Sequence, residues 1–143
     1  MPDFCPNCGA PFRRPTPLHQ LGDPDVYLNL VRRLARKRQE MFFVVGLDAD
    51  ARPARRHLIA VGNGNSVRVM ATEVFRPLVR ERSAAAILLH NHPGADAAPS
   101  QADIVLTKHL VDVGQILGIP VLDHVIVGGT SYYSFRDDGA MPQ

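Results

Sequence analysis

Cysteine is nearly absent: the chain has two in 143 residues, Cys5 and Cys8, only three positions apart. So close a pair cannot build a disulfide framework, which agrees with a reducing compartment. No apolar run approaches the length of a membrane span, and the N-terminus lacks a charged-then-apolar signal pattern. The sequence therefore predicts a cytoplasmic protein with no membrane partner. Internal repeats and low-complexity segments are missing as well, which excludes a repeat array.

What remains is one ordinary globular domain. The length is enough to bury a core without disulfides or metals, and an apolar content of 45% supports one. Net charge is only +2 but unevenly spread: residues 1–82 hold fourteen Lys and Arg against eight acids (+6), and the remainder two against six (−4). The basic half suits an acidic partner, protein or nucleic acid. The competing reading makes Arg32, Arg33, Arg36, Lys37 and Arg38 the solvated face of an amphipathic helix. No aromatics interleave with them to stack bases, which favours that reading.

Residues 1–22 form a proline-rich N-terminal tail carrying Cys5-Pro6-Asn7-Cys8-Gly9, half of a zinc-ribbon knuckle. A structural zinc needs four ligands and no second Cys pair exists. Three readings stay open: a partial knuckle in which His19 adds a third ligand to Cys5 and Cys8, a second zinc completed by a partner chain in a homodimer, or a metal-free tail. Asp23-Pro24 opens a first helix expected to reach about Gln39, with Tyr27, Leu30, Val31 and Leu34 as its apolar stripe. Met41–Leu47 reads as a buried strand, and a turn over Asp48–Pro53 leads to a second strand around His57–Val61, making a hairpin. After the turn at Gly62-Asn63-Gly64, a short strand is expected near Val67–Met70, then a helix capped by Thr72 and running to about Arg82.

Ala84–Leu89 is the apolar run of a buried strand that emerges at His90-Asn91-His92-Pro93. Pro99 and the capping residue Ser100 start a helix that ends at Gly118, with an apolar stripe of Leu106, Leu110, Val113 and Leu117. Val121–Val127 and Tyr132–Phe135 are further strands, and residues 137–143 are expected to be a loose C-terminal tail. Helices alternating with strands predict an α/β fold, an α-β-α sandwich around one mixed β-sheet.

The chemistry gathers at the histidines. His90 and His92 stand on alternate positions of an extended segment, so both imidazoles point the same way. Stepping three residues back from Leu106 lands on Asp103, which puts a carboxylate on the inward face of the helix's first turn. A buried carboxylate needs a partner. Taken singly, each residue has a plainer explanation: Ser100 and Asp103 make a capping pair, and the histidines are loop residues. Taken together, two imidazoles and one carboxylate are the ligand set of a catalytic zinc that keeps one position open for water. Asp123 and His124 could line the same pocket, although a strand-end histidine is more often structural.

The order His-x-His, seven residues, Ser-x-x-Asp resembles the signature of the JAB/MPN (JAMM) metallopeptidases, in which a glutamate precedes it. Within that family, His90-Asn91-His92-Pro93, Leu122-Asp123-His124, and Gly62, Asn65, Ser66 and Glu73-Val74-Phe75 look like the bacterial RadC branch. The similarity covers roughly residues 23–136, which sets the expected domain. It departs at Gly94-Ala95, where Ser-Gly is usual, and at Met70-Ala71, where His-Pro is common. The residues alone leave Glu40 and Glu73 open as the glutamate; the family's glutamate precedes its apolar first strand, as Glu40 precedes Met41. The resemblance implies a zinc hydrolase of peptide or ubiquitin-like isopeptide bonds, with His90, His92 and Asp103 on the Zn2+, Glu40 as general acid/base and Ser100 as oxyanion donor. The RadC branch's association with DNA repair, with the basic N-terminal half, supports the alternative of a nucleic-acid-associated protein or metal-dependent nuclease.

Overall fold

A computed structural model of the protein describes residues 16–17, 26–62 and 68–143. Along them the elements are β1 (Thr16–Pro17), α1 (Val26–Leu34), β2 (Met41–Leu47), β3 (Pro53–Val61), α2 (Ala71–Arg80), β4 (Ala85–Asn91), α3 (Gln101–Leu117), β5 (Val121–Gly128) and β6 (Ser131–Ser134). They form one sheet in the order β1-β6-β5-β4-β2-β3. β4 and β5 are parallel and every other pair is antiparallel. The parallel pair is what makes α3 necessary, because two parallel neighbours need a crossover rather than a hairpin.

All seven residues of β4 are buried. A strand covered on both faces reads in sequence as a continuous apolar run, which is what residues 84–89 show. Its alternate residues divide the core. Ile87 and Leu89 meet Leu30, Val31 and Leu34 of α1. Ala86 and Leu88 meet Val74, Phe75 and Leu78 of α2 and Leu110 and Val111 of α3. One helix on one face and two on the other make the expected α-β-α sandwich around a mixed sheet. Among the described residues no helix is long and apolar enough to cross a membrane.

Several boundaries differ from the sequence expectation. α1 stops at Leu34 rather than near Gln39, because the chain turns there and the Asn91 side chain takes up the carbonyls of Leu34 and Gln39. β3 begins at Pro53, four residues early, since it follows β2 directly from the Asp48 turn, where Asp48 Oδ1 accepts from the Asp50 and Arg52 amides. Residues 68–70 are not a strand, and the N-cap of α2 is Met70, with Thr72 inside the first turn. The α3 stripe is rotated: its buried residues are Asp103, Ile104, Thr107, Leu110, Val111 and Gly114, and Leu117 is exposed. Gly114 explains the rotation. A Cβ there would stand 2.5 Å from the Ile119 carbonyl, so the helix brings its slimmest face against the chain entering β5.

The ends also depart from the expected tails. Thr16 and Pro17 pair with Tyr132 and Ser131 at the sheet edge, a place where a strand proline is tolerated. Residues 135–139 form a turn in which Tyr133 Oη donates to Asp138 Oδ2 at 2.6 Å, and Met141 packs against the core. The C-terminal segment is therefore packed, not loose. Cys5, Cys8, His19, Asp23-Pro24, the turn at residues 63–64 and Val67 lie outside the described residues.

Candidate metal centre

β4 carries its odd residues to α1 and its even ones to α3, so His90 faces α3, and His92, one residue past the strand end, follows it. The ladder continues through the His92 amide, which donates to the Val127 carbonyl at 2.7 Å. Phe42, opposite His90 on β2, stacks on its ring at 5.6 Å. Asp103 enters from the first turn of α3. The capping box expected there is present: the Asp103 amide donates to Ser100 Oγ at 3.1 Å, and the Ser100 amide to Asp103 Oδ2 at 2.8 Å.

The capping explanation and the ligand explanation are thus both satisfied by one carboxylate. Asp103 Oδ2 is also 3.0 Å from His92 Nε2, and its Oδ1 is 3.2 Å from His90 Nε2. The two Nε2 atoms are 3.1 Å apart. A tetrahedral ion with ligands at about 2.0–2.1 Å sets its ligand atoms about 3.3 Å apart, so these three side chains fit one small cation. Glu40 completes the group: its Oε1 is 3.9 Å from His90 Nε2, and one ligand atom from each of the four residues lies within 4.8 Å of the others.

Asn91, the middle residue of His-x-His, places Glu40. Pointing to the α1 face, its Oδ1 accepts from the Met41 amide at 2.7 Å, and its Nδ2 donates to the carbonyls of Leu34 and Gln39. The backbone on both sides of Glu40 is thereby tied to β4. Glu73, the other candidate, is exposed on α2 and does not belong to the group.

The electrostatics follow from burial and contact. Burial raises the Glu40 carboxyl above the usual glutamate range, against the pull of His90 and His92. Burial works the same way on Asp103, but hydrogen bonds from His90 and His92 and the Ser100 amide outweigh it and hold that carboxyl far below the usual range. For His92, burial is opposed by hydrogen bonds to Asp103 and to the Asp96 carbonyl, and the net shift is upward. The arrangement therefore offers an ionised carboxylate and imidazoles facing one point, beside a second carboxyl that holds protons more readily than an exposed one.

Two partners, Asp96 and Thr107, were not legible beforehand, while His124 is a pocket candidate in the sequence. Asp96 supplies its backbone carbonyl to His92 Nδ1 at 2.8 Å. Thr107, one turn after Asp103, bonds His124 Nδ1 at 2.6 Å, and His124 Nε2 bonds His90 Nδ1 at 2.7 Å. The signal was a threonine four residues after the inward aspartate, which the expected stripe through Asp103, Leu106 and Leu110 passed over. Asp123 stays outside the group; it accepts from Ser134 Oγ and the Arg136 and His124 amides.

Comparison with known proteins agrees with this geometry. Residues 21–140 match the family described as RadC-like JAB domain. A UPF0758 protein of Methanosarcina mazei is 36% identical over 124 residues, covering 86% of this chain and 54% of that protein. Two more, of Trichlorobacter lovleyi and Geotalea uraniireducens, are 44% and 46% identical over 104 residues, 73% of this chain and 45% and 46% of theirs. The chain thus spans about half the length of these curated relatives. With most of its residues matched by one family and relatives this similar, the chain belongs to the RadC-like JAB domain family.

Proposed function

We propose that the chain is a zinc-dependent metallopeptidase that hydrolyses a peptide or isopeptide bond. The observation that carries this reading is Glu40, a partly buried carboxylate at the edge of a ligand set made by His90, His92 and Asp103. These three would hold the ion. When bound, zinc supplies a Lewis acid and lowers the pKa of water in its open position toward ~7.

Glu40 takes a proton from the attacking water and passes it to the leaving amine as the C–N bond breaks, so the hydroxyl ends on the acyl carbon. Ser100 Oγ accepts from the Asp103 amide, which leaves the hydroxyl hydrogen to donate to the tetrahedral oxyanion; one such donor is worth roughly 3 kcal/mol. Ser100 is exposed at the mouth of the group, which suits that role.

A metal-dependent nuclease is the competing reading. Arg32, Arg33, Arg36, Lys37 and Arg38 are exposed on α1 and the turn after it, and one metal also serves phosphodiester cleavage. The deciding experiment is elemental analysis of chelator-free protein beside a cleavage panel of peptides, isopeptide-linked substrates and DNA. Zinc at one per chain with amide cleavage supports the proposal; DNA cleavage alone overturns it.

A further inference from the structure

Behind the ligand group, away from Glu40, a short chain of hydrogen bonds runs through the core between α3, β5 and β4. Thr107 Oγ1 is 2.6 Å from the Asp103 carbonyl oxygen, 2.6 Å from His124 Nδ1, and wholly buried. His124, also wholly buried, stacks on Phe135 at 5.2 Å and reaches His90 Nδ1 with its Nε2 at 2.7 Å.

Counting hydrogens along this chain leaves one arrangement. A carbonyl oxygen can only accept, so the single hydroxyl hydrogen of Thr107 lies toward Asp103. Thr107 Oγ1 must then accept, and the hydrogen between it and His124 belongs to His124 Nδ1. His90 Nε2 faces Asp103 and His92 in the ligand group and must be bare to take an ion there, so the one hydrogen of the His90 imidazole lies on Nδ1. That hydrogen fills the contact between the two imidazoles, and His124 Nε2 accepts it.

We infer that Thr107 and His124 are positioning residues that hold the His90 proton on Nδ1 and so aim its Nε2 lone pair at the metal. The Asp96 carbonyl does the same for His92, accepting its Nδ1 hydrogen. His90 has no backbone carbonyl in that role; its orientation is carried through a second histidine to a helix hydroxyl. The inference rests on the metallopeptidase reading for the identity of the ion, but the tautomers it assigns can be read without any turnover.

The test uses the full chain with 15N-labelled histidine, loaded with zinc. Nitrogen shifts should show His124 protonated on Nδ1 and bare on Nε2, and His90 protonated on Nδ1 and metal-bound through Nε2. Thr107→Val keeps the shape and removes the hydroxyl; zinc affinity, by competition with a chelator, should fall about 10- to 100-fold, the range for a lost ligand-orienting partner. Thr107→Ser should restore it to within a few-fold of the parent. A His124 proton on Nε2, His90 bound through Nδ1, or Thr107→Val with parental affinity overturns the inference. If the valine variant does not fold, the tautomers of the parent protein still decide. Should the parent bind zinc with these tautomers yet cleave no amide, the peptidase reading fails and this inference stands. Should it bind no zinc, the His124 tautomer of metal-free protein at pH 8 decides alone.

Discussion

Asp103 does three things with one carboxylate: it closes the capping box of α3, faces His92 with one oxygen and faces His90 with the other. Asp103→Ala should therefore remove the metal of this group, and elemental analysis of the purified variant should find one ion fewer per chain than in the parent. Full occupancy in that variant would show that the ion is held elsewhere. Glu40 is different, since it stands at the edge of the ligand group and 3.9 Å from the nearest histidine nitrogen. Glu40→Gln should keep the metal and the fold while lowering kcat by at least about 10²- to 10⁴-fold, the usual worth of a positioned acid/base. Glu73→Gln, altering an exposed helix residue, should change kcat little. Burial also sets the sign of the pH dependence. As the base, Glu40 must be ionised to accept a proton, and burial raises its carboxyl above the usual glutamate range, so kcat/KM should fall as pH decreases, with an acid limb above that of an exposed glutamate. An acid limb within or below the ordinary glutamate range would mean that a less buried group is the base.

Three elements meet at the centre: the end of β4, the first turn of α3, and β5 with the loop that packs over its end. The loop matters because the Asp96 carbonyl bonds His92 Nδ1, and Gly128 at the end of β5 packs closely against the loop backbone at residues 95–97. A Cβ on residue 128 would stand 2.5 Å from the Ala97 amide nitrogen and 2.6 Å from the Ala95 carbonyl oxygen, both backbone atoms that cannot rotate away. Gly128→Ala should then lift the loop, destabilise the fold by about 1–3 kcal/mol, and weaken metal binding through His92. Thermal unfolding and chelator competition measure the two effects. A variant with parental stability and metal affinity would mean that the loop is not held there. The elements themselves were unevenly legible. α3 was placed from Ser100 to Gly118 because caps are local signals: a serine three residues before an aspartate at one end, and a glycine at φ 74° at the other. Its buried face was phased one step off, because Leu106, Val113 and Leu117 form an apolar row whatever they touch. The close approach of Gly114 to Ile119 is a contact between elements and leaves no periodic mark.

For the whole molecule, the N-terminal cysteines are the feature least connected to the rest. Replacing both, Cys5→Ser with Cys8→Ser in the full chain, should leave any metal of the His90, His92 and Asp103 group in place. A fall from two zincs to one with loss of a dimer in sedimentation assigns the knuckle to a shared second site, while unchanged zinc and mass assign it to a metal-free tail. Loss of the metal of the His90, His92 and Asp103 group would contradict both. The RadC-like family was readable from the sequence, because His90, His92, Ser100 and Asp103 keep their spacing within fourteen residues. The sandwich was readable too, since a doubly covered strand such as β4 must be continuously apolar and a half-covered helix must be striped. Sequence by itself thus determined the types of the main helices and strands, the mixed sheet and the histidine and aspartate cluster, all written in short-range periodicity and spacing. Tertiary structure alone decided that Glu40 and not Glu73 joins the cluster, that Asn91 ties β4 to the Met41 amide 50 residues away, and that His124 meets His90 across 34 residues. Those contacts depend on the register of β2 and β5 against β4, and register is fixed by packing over the whole sheet, so no local stretch of the chain contains it.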